Sequence, residues 1–479
     1  MKLGRAWLLM GFVSVAVAVW IFVGSPNDNL WIVCVAALLA SVLIIGGQQV
    51  HPVLLWVVGF NWLGIAADIL AADIAGEALG ETLLGPYRVQ AFNYLLWSLL
   101  AFSIGIRCGT LTGKKLFRNP VNPPTEQAAI SVSVQQAVVA YIASLLAFRG
   151  LEYLASTTPS LQQPIVALFA LKYIWIYLIA ATVFKANRNY AWLAFVIVIE
   201  FVVGITSFFG TYKEAVFVTL IALMASGRRL TPLAWAVGAA LMVFVVWASL
   251  FWTSIKPDYR YWVSGYTNEQ VIVRSFGERA IWITDRFMNE PVDYDRATQD
   301  MVMRAGNTVL FALLLSRQEA GFTFDVPSRY LAGLEHVLMP RLLFPDKAAL
   351  DDSRLTAEFT GRRISENTSI SIGYIAEALY DFQFPMMLLP ISGIGLLLGL
   401  TAIFYLTRPV PPVIREAFMC ANLFLTFNFG QNIDKALGIF FIGLVVLSLL
   451  LKIGYPWFAA WLAGISPAQG SARLDRPRP

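Results

Sequence analysis

Apolar runs of roughly 18 to 22 residues, each long enough to cross a ~30 Å hydrocarbon core as a helix, recur along almost the whole chain. About twelve are present, at 6–24, 30–47, 53–71, 91–108, 128–148, 165–184, 190–208, 215–226, 233–254, 385–406, 414–429 and 436–451. The eighth is short, and the eleventh contains Asn422 and Asn428. With 58% hydrophobic and only 14% charged residues, a mean hydropathy of +0.66 does not suit a soluble domain. The expected fold is all-α: a polytopic transmembrane helical bundle of about twelve spans, interrupted by one long polar segment at 256–383.

Lysine and arginine orient the bundle, because connections retained in the cytoplasm carry the excess of both. Every second connection is basic. Lys2 and Arg5 come first, then Arg107, Lys114, Lys115 and Arg118, then Lys185 and Arg188, then Arg228 and Arg229. Arg408 and Arg415 follow, then Lys452 and the tail arginines Arg473, Arg476 and Arg478. The intervening connections are mostly acidic or neutral, as at Asp68, Asp73, Glu77 and Glu81. An even number of spans, both termini in the cytoplasm and a long outer loop are therefore expected. The organisation reads as an N-terminal bundle of about nine spans (1–255), the large loop (256–383), C-terminal spans (384–464) and a disordered tail rich in Pro, Gly, Ser and Arg (465–479).

The first apolar run is longer than a secretory h-region and lacks an Ala-x-Ala exit, which makes it an uncleaved anchor. Cys34, Cys108 and Cys420 fall within spans or at their ends, where no disulfide framework forms, and no zinc pattern is present. No Walker, Rossmann or HExxH motif is found, and the net charge of +5 is explained by cytoplasmic anchoring without any nucleic-acid partner. No internal repeat of the kind that builds two-halved transporters is evident.

The outer loop has more than a linker's composition. Trp262, Tyr266, Phe276, Trp282 and Phe287 are interleaved with Arg274, Arg279 and Arg286, a pattern for short amphipathic helices at the membrane surface. Residues 300–318 place Val302, Asn307, Val309, Leu310, Leu313 and Leu314 at helical spacing, as a surface or re-entrant helix. Sheltering the bundle would account for both stretches. The arginines argue for more, since a translocated loop carries them against the charge bias, and they suit anionic ligands. Within the spans, Lys172 and Glu200 fall at similar depth, where an unpaired charge is expensive, and they are expected to form a buried pair. Asp434 and Lys435, just before the last span, either close the same cavity or cap a helix.

The sharpest pattern lies at Tyr330-Leu-Ala-Gly-Leu-Glu-His-Val-Leu-Met-Pro-Arg-Leu-Leu-Phe-Pro-Asp-Lys347, followed by Asn367-Thr-Ser-Ile-Ser-Ile-Gly-Tyr-Ile-Ala-Glu-Ala-Leu-Tyr-Asp-Phe382. It resembles the last large loop of the Wzy-like O-antigen and exopolysaccharide polymerases, with its Pro-Arg-x-Leu-x-Pro-x-Lys stretch, which matches well, and a later Thr-Ser…Gly-x-x-x-Glu-x-Tyr-x-x-Phe-Gly stretch leading into the next span, from which this chain departs. Gln383 and Phe384 stand where that family tends to have glycine. Gly210-Thr-Tyr-Lys-Glu214, at the outer start of the eighth span, is similar to a small-residue turn with a cation in the same polymerases and in the related O-antigen ligases.

The resemblance implies a metal-independent glycosyltransferase of the bacterial inner membrane with its large loop in the periplasm, using no cofactor. Its donor would be an oligosaccharide repeat unit on polyprenyl pyrophosphate, and its partners the lipid bilayer and a chain-length regulator or flippase. An acceptor hydroxyl attacks the anomeric carbon and expels lipid pyrophosphate, a step assisted by cations and aimed N–H groups. Lys213 at a helix N-terminus, with Arg341 and Lys347 flanking Pro345, are candidates for a pyrophosphate clamp, and Arg329, Tyr330 and Tyr380 for further contact with sugar or phosphate. Lys213 could equally snorkel beside Glu214, and Lys347 pair with Asp346 or Asp351. Glu377, four residues after Gly373 and three before Tyr380, is the first candidate general base, unless it only holds an arginine such as Arg363. His336, the one outer histidine, is the second. An O-antigen ligase, or a lipid-linked glycan flippase centred on Lys172 and Glu200, are the alternative functions.

Overall fold

The computed structural model describes residues 20, 24–46, 50–117, 132–157, 168–208, 210–227, 232–267, 271–324, 326–339, 344, 352–362 and 370–455. Every regular element among them is a helix. In chain order these are α1 (Asp28–Ile45), α2 (Pro52–Ile74), α3 (Gly85–Leu116), α4 (Val134–Thr157), α5 (Leu171–Ala186) and α6 (Tyr190–Ile205). Next come α7 (Lys213–Ala225), α8 (Pro232–Val263), α9 (Phe276–Asn289), α10 (Tyr294–Ala305), α11 (Thr308–Glu319) and α12 (Arg329–Leu338). The last are α13 (Asp352–Thr360), α14 (Tyr374–Phe382), α15 (Leu388–Leu406), α16 (Pro412–Leu423) and α17 (Ile433–Leu449), which continues into a π-helical turn (Leu450–Gly454). Among the described residues, six segments are long and apolar enough to cross a membrane: α1, α2, α3, Ala240–Val263 of α8, α15, and Ile433–Gly454. Val134–Phe148 of α4 and the whole of α6 are shorter apolar helices. The run at 6–24 and the tail at 465–479 lie outside the described residues.

The tightest packing joins α3 and α15, which run parallel. Gly105 and Gly109 of α3 lie so close to α15 that a Cβ built on them would sit 1.9 Å from the Ser392 carbonyl oxygen and 2.2 Å from that of Leu396. Gly395 and Gly399 return the contact, 2.1 Å from the Phe102 oxygen and 2.3 Å from that of Ile106. Both helices carry glycine every fourth residue, and missing side chains let the backbones touch where lipid gives no hydrophobic driving force.

Beside this pair, buried polar groups tie the helices together. Asp73, at the end of α2, accepts hydrogen bonds from Trp20 Nε1, Ser25 Oγ, Asn27 Nδ2 and Trp31 Nε1, at 2.7–2.9 Å, fastening the approach to α1. Lys172 and Glu200 form the expected pair at 3.1 Å, and Tyr141 donates to the same carboxylate at 2.9 Å. The pairing satisfies charges that would otherwise be costly at this depth.

The segment expected as a separate loop, 256–383, is continuous in its described part with the helix before it. Helix α8 runs straight through the expected boundary at 255/256. Its 32 residues span about 48 Å, so roughly 18 Å overhangs a ~30 Å core. From that overhang α9 folds back along α8: Trp262 stacks on Trp282 at 5.6 Å near the helix end, and Phe287 meets Trp247 and Phe251 at 5.7 Å further back, within the length that crosses the core. The interleaved arginines serve this packing. Arg274 lies over Trp262, Arg286 over Trp282, and buried Arg279 donates to the Thr206 carbonyl. Their expected role as anion ligands gives way to cation–π and backbone contacts.

The single helix expected over 300–318 is two, α10 and α11, and the cause is a residue 239 positions away. Asp68, counted above with an outer connection, is buried in α2 and accepts from the backbone N–H of Asn307 and Thr308 at 2.9 and 3.1 Å. It therefore caps the start of α11 and stops α10 at Gly306, while Arg88 approaches it at 3.7 Å. Phe311, Leu314 and Leu315 of α11, Tyr330 of α12 and Tyr374 of α14 join the same hydrophobic core as the apolar helices. Substituting Gly109 with Ala should cost about 1–3 kcal/mol by forcing α3 from α15. It should appear as a lower thermal midpoint of the detergent-solubilised protein. Gly393→Ala, where an added carbon meets nothing within 4 Å, is expected to leave the midpoint in place.

Candidate functional site

Helices α12, α14 and α17 converge on Arg329. Its Nε donates to Glu377 Oε1 at 2.9 Å and its Nη2 to Asp434 Oδ2 at 2.8 Å. Glu377 is fully buried, and its second oxygen accepts from the Ile433 N–H at 2.7 Å, the first donor of α17. A carboxylate at that position also meets the positive end of the helix dipole. Asp381, one turn beyond Glu377, performs the corresponding service for α12: it accepts from Ser328 Oγ and from the N–H groups of Arg329 and Tyr330 at 2.8–3.1 Å. Carboxylates four residues apart on α14 thus organise the starts of two other helices.

The start of α14 is itself fixed by the chain before α17. Tyr374 N–H donates to the Gln431 carbonyl at 2.7 Å and the Tyr374 hydroxyl to the Phe427 carbonyl at 3.2 Å. Gly373 has φ +92°, and a Cβ there would lie 2.3 Å from the Phe429 oxygen, so both backbone geometry and space require glycine.

These contacts revise several expectations. Glu377 holds an arginine, but the arginine is Arg329; Arg363 lies outside the described residues. With both oxygens engaged and no exposure, Glu377 is a positioning carboxylate, not an accessible base. Burial pushes its carboxyl up to about 7, against the opposing pull of Arg329 and the Ile433 N–H. Arg329, expected to meet sugar or phosphate, is taken up by two carboxylates. Tyr330 is buried and donates to the Tyr374 carbonyl at 3.1 Å, and Tyr380 donates to the Val326 carbonyl at 2.6 Å. His336 is half-buried in the last turn of α12. Seven residues from Arg329, it falls on the same helical face about 10 Å along the axis. Arg341 and Lys347 lie outside the described residues.

Lys213 stands where the sequence placed it, exposed at the first position of α7. It has company that the sequence reading missed. Lys256 and Arg260, one turn apart on the α8 overhang, and Arg304 in the last turn of α10 are close enough that Lys256 is repelled by Arg260, Arg304 and Lys213. Arg260 is repelled by Arg304 in turn. Arg260 is held in place by a 3.1 Å bond from its Nε to the Phe208 carbonyl and by the Phe208 ring, 4.7 Å away. The available signal was the i, i+4 spacing of Lys256 and Arg260. It was hidden because the apolar run ends at 254 while the helix continues. Four cations from three helices thus come within electrostatic reach of one another, an arrangement of the kind that attracts anions.

Comparison of the chain with protein-family models, with curated proteins and with solved structures finds no match.

Replacing Arg329 with Gln leaves two buried carboxylates without their cation, and is expected to cost about 3–5 kcal/mol in folding stability. A lowered thermal midpoint checks it. Glutamate in an unfolded chain titrates near about 4.3, whereas folded Glu377 does so near 7. Between those values the folded state binds a proton that the unfolded state lacks, so this group's contribution to stability falls as pH rises through about 7. Glu377→Gln should flatten that part of the stability-against-pH curve.

Proposed function

We propose that the protein is a membrane glycan polymerase that joins polyprenyl-pyrophosphate-linked repeat units on the outer, periplasmic face of a bacterial inner membrane. The reading includes about twelve spans and both termini in the cytoplasm. The observation that carries it is the convergence of Lys213, Lys256, Arg260 and Arg304 at the end of the bundle where the outer segment packs. A pyrophosphate leaving group gains negative charge as the glycosidic carbon–oxygen bond breaks, and clustered cations held in advance stabilise that charge without reorganising. The resemblance of residues 339–347 and 367–382 to the polymerase loop supports the same ligand.

In this reading the acceptor sugar hydroxyl attacks the anomeric carbon, its oxygen forms the new glycosidic bond, and the bond to pyrophosphate breaks. The hydroxyl proton passes to a base, for which His336 is the remaining candidate among the described residues named above. Lys213, Lys256, Arg260 and Arg304 receive the pyrophosphate. Arg341 and Lys347 are the further cations that the resemblance assigns to it. Arg329, Glu377, Asp381 and Asp434 act one step back, fixing the helix that carries His336. An O-antigen ligase would share the donor site and differ in its acceptor.

Purified protein supplied only with lipid-pyrophosphate repeat units should lengthen glycans and release polyprenyl pyrophosphate. Movement of intact donor across a vesicle membrane without bond formation would sink the proposal in favour of a flippase. Lys256→Ala and Arg304→Ala are each expected to lower the turnover rate by about 10²-fold with a thermal midpoint no lower than wild type, since each removes one of the mutually repelling charges. A near-wild-type rate in both would remove the cation cluster from the mechanism.

A further inference from the structure

At the far ends of α15 and α17 from the Arg329 hub lies a half-open cavity of about 610 Å³. The length of α17, 17 residues, puts it about 25 Å from the hub, close to the thickness of a ~30 Å hydrocarbon core. Hub and cavity therefore face opposite membrane surfaces. One wall comes from the end of α15 and the turn after it, with Phe404 and Arg408; the other comes from α17 and its π-helical turn, with Val445, Leu449, Lys452 and Tyr455.

The lining divides by chemistry. Val445 and Leu449 are more than half exposed although they belong to an apolar helix, so they face lipid tails. Arg408 and Lys452 stand at the end of the same cleft, beyond the last turn of α15 and within the π-helical turn. The Arg408 guanidinium lies 3.6 Å from the centre of the Phe404 ring, which fixes it on the cleft wall instead of leaving it to extend into water. Tyr455 adds an amphipathic ring of the type found at headgroup level. No carboxylate is among the lining residues. An apolar channel open to the bilayer and ending in two cations and a tyrosine matches one kind of occupant: tails along the channel and an anionic head at its end. The volume lies within the range of small-molecule sites.

We propose that this cleft is a binding site for an anionic phospholipid of the leaflet opposite the Arg329 hub. It is independent of the catalytic reading, sharing no residue with the cation cluster of Lys213, Lys256, Arg260 and Arg304. The phosphate would sit between Arg408 and Lys452, and one acyl chain along Val445 and Leu449. This set of contacts selects for charge: a zwitterionic lipid fills the apolar channel equally well but brings its own cation to the site.

The test uses the full-length protein in detergent, titrated with phosphatidylglycerol or with phosphatidylcholine of the same chains and read by native mass spectrometry. Wild type should retain phosphatidylglycerol in preference to phosphatidylcholine. Arg408→Gln combined with Lys452→Gln should lower phosphatidylglycerol retention on the order of tenfold or more and leave phosphatidylcholine unchanged. Leu449→Trp, which fills the channel but keeps both charges, should lower retention of both lipids, and a thermal midpoint equal to wild type shows that each variant is folded. Equal retention of the two lipids by wild type, or of phosphatidylglycerol by the double-charge variant, overturns the proposal. So does phosphatidylglycerol binding that is absent in wild type and emerges only when residues 456–479 are removed, because the cleft would then belong to that segment.

Discussion

The guanidinium of Arg329 between Glu377 and Asp434 is the contact on which the arrangement of α12, α14 and α17 depends. Two carboxylates and one cation, all largely out of water, are stable only as a complete set: removing one partner strands a charge in a low dielectric. Because the partners come from α12, α14 and α17, the interaction fixes three helix starts at once. Asp381 and Gly373 then follow from it, one capping α12 and the other allowing α14 to lie against the chain at Phe429. Helices α12 and α14 are in this way bolted to α17, and residues carried on α12, His336 among them, inherit a defined position.

Elsewhere the chain solves the same problem of cohesion by different means, according to depth. Where α3 meets α15 there are no charges to spend, and glycines substitute close backbone contact for side-chain attraction. Where charge does enter the bundle, at Lys172, it is matched by Glu200 and a tyrosine hydroxyl. On the α8 overhang, which reaches past the hydrocarbon core, aromatic stacking with arginine becomes the adhesive. Each device suits its local dielectric, and the boundaries between them follow the expected membrane surfaces.

Sequence reading recovered what depends on local composition. The runs at 30–47, 53–71 and 385–406 correspond to α1, α2 and α15 within a few residues, since twenty apolar residues in succession have few alternatives to a membrane helix. It failed where the cause was distant. Gly306-Asn307 is a readable helix-break signal, but its partner Asp68, 239 residues before Asn307, is not legible from the sequence. Nothing in Glu377 identifies Arg329, 48 residues before it, as its partner. The glycine spacing at Gly105, Gly109, Gly395 and Gly399 was readable, but the pairing of two helices so far apart in sequence was not.

The cations brought together by α7, α8 and α10 differ physically from a lone interfacial lysine, which is solvated on its own. Lys256, Arg260, Arg304 and Lys213 are close enough to repel, so assembling them raises the free energy of the folded state. That cost is met by the packing beneath them: Phe208, Trp252, Tyr259 and Ile283 form a separate apolar cluster that holds α8 and α9 together whether or not an anion is bound. In the polymerase reading, a pyrophosphate bound among these cations would relieve their repulsion without requiring the helices to move, and the cluster would act as a preorganised site, in which folding has borne the electrostatic cost before the ligand arrives.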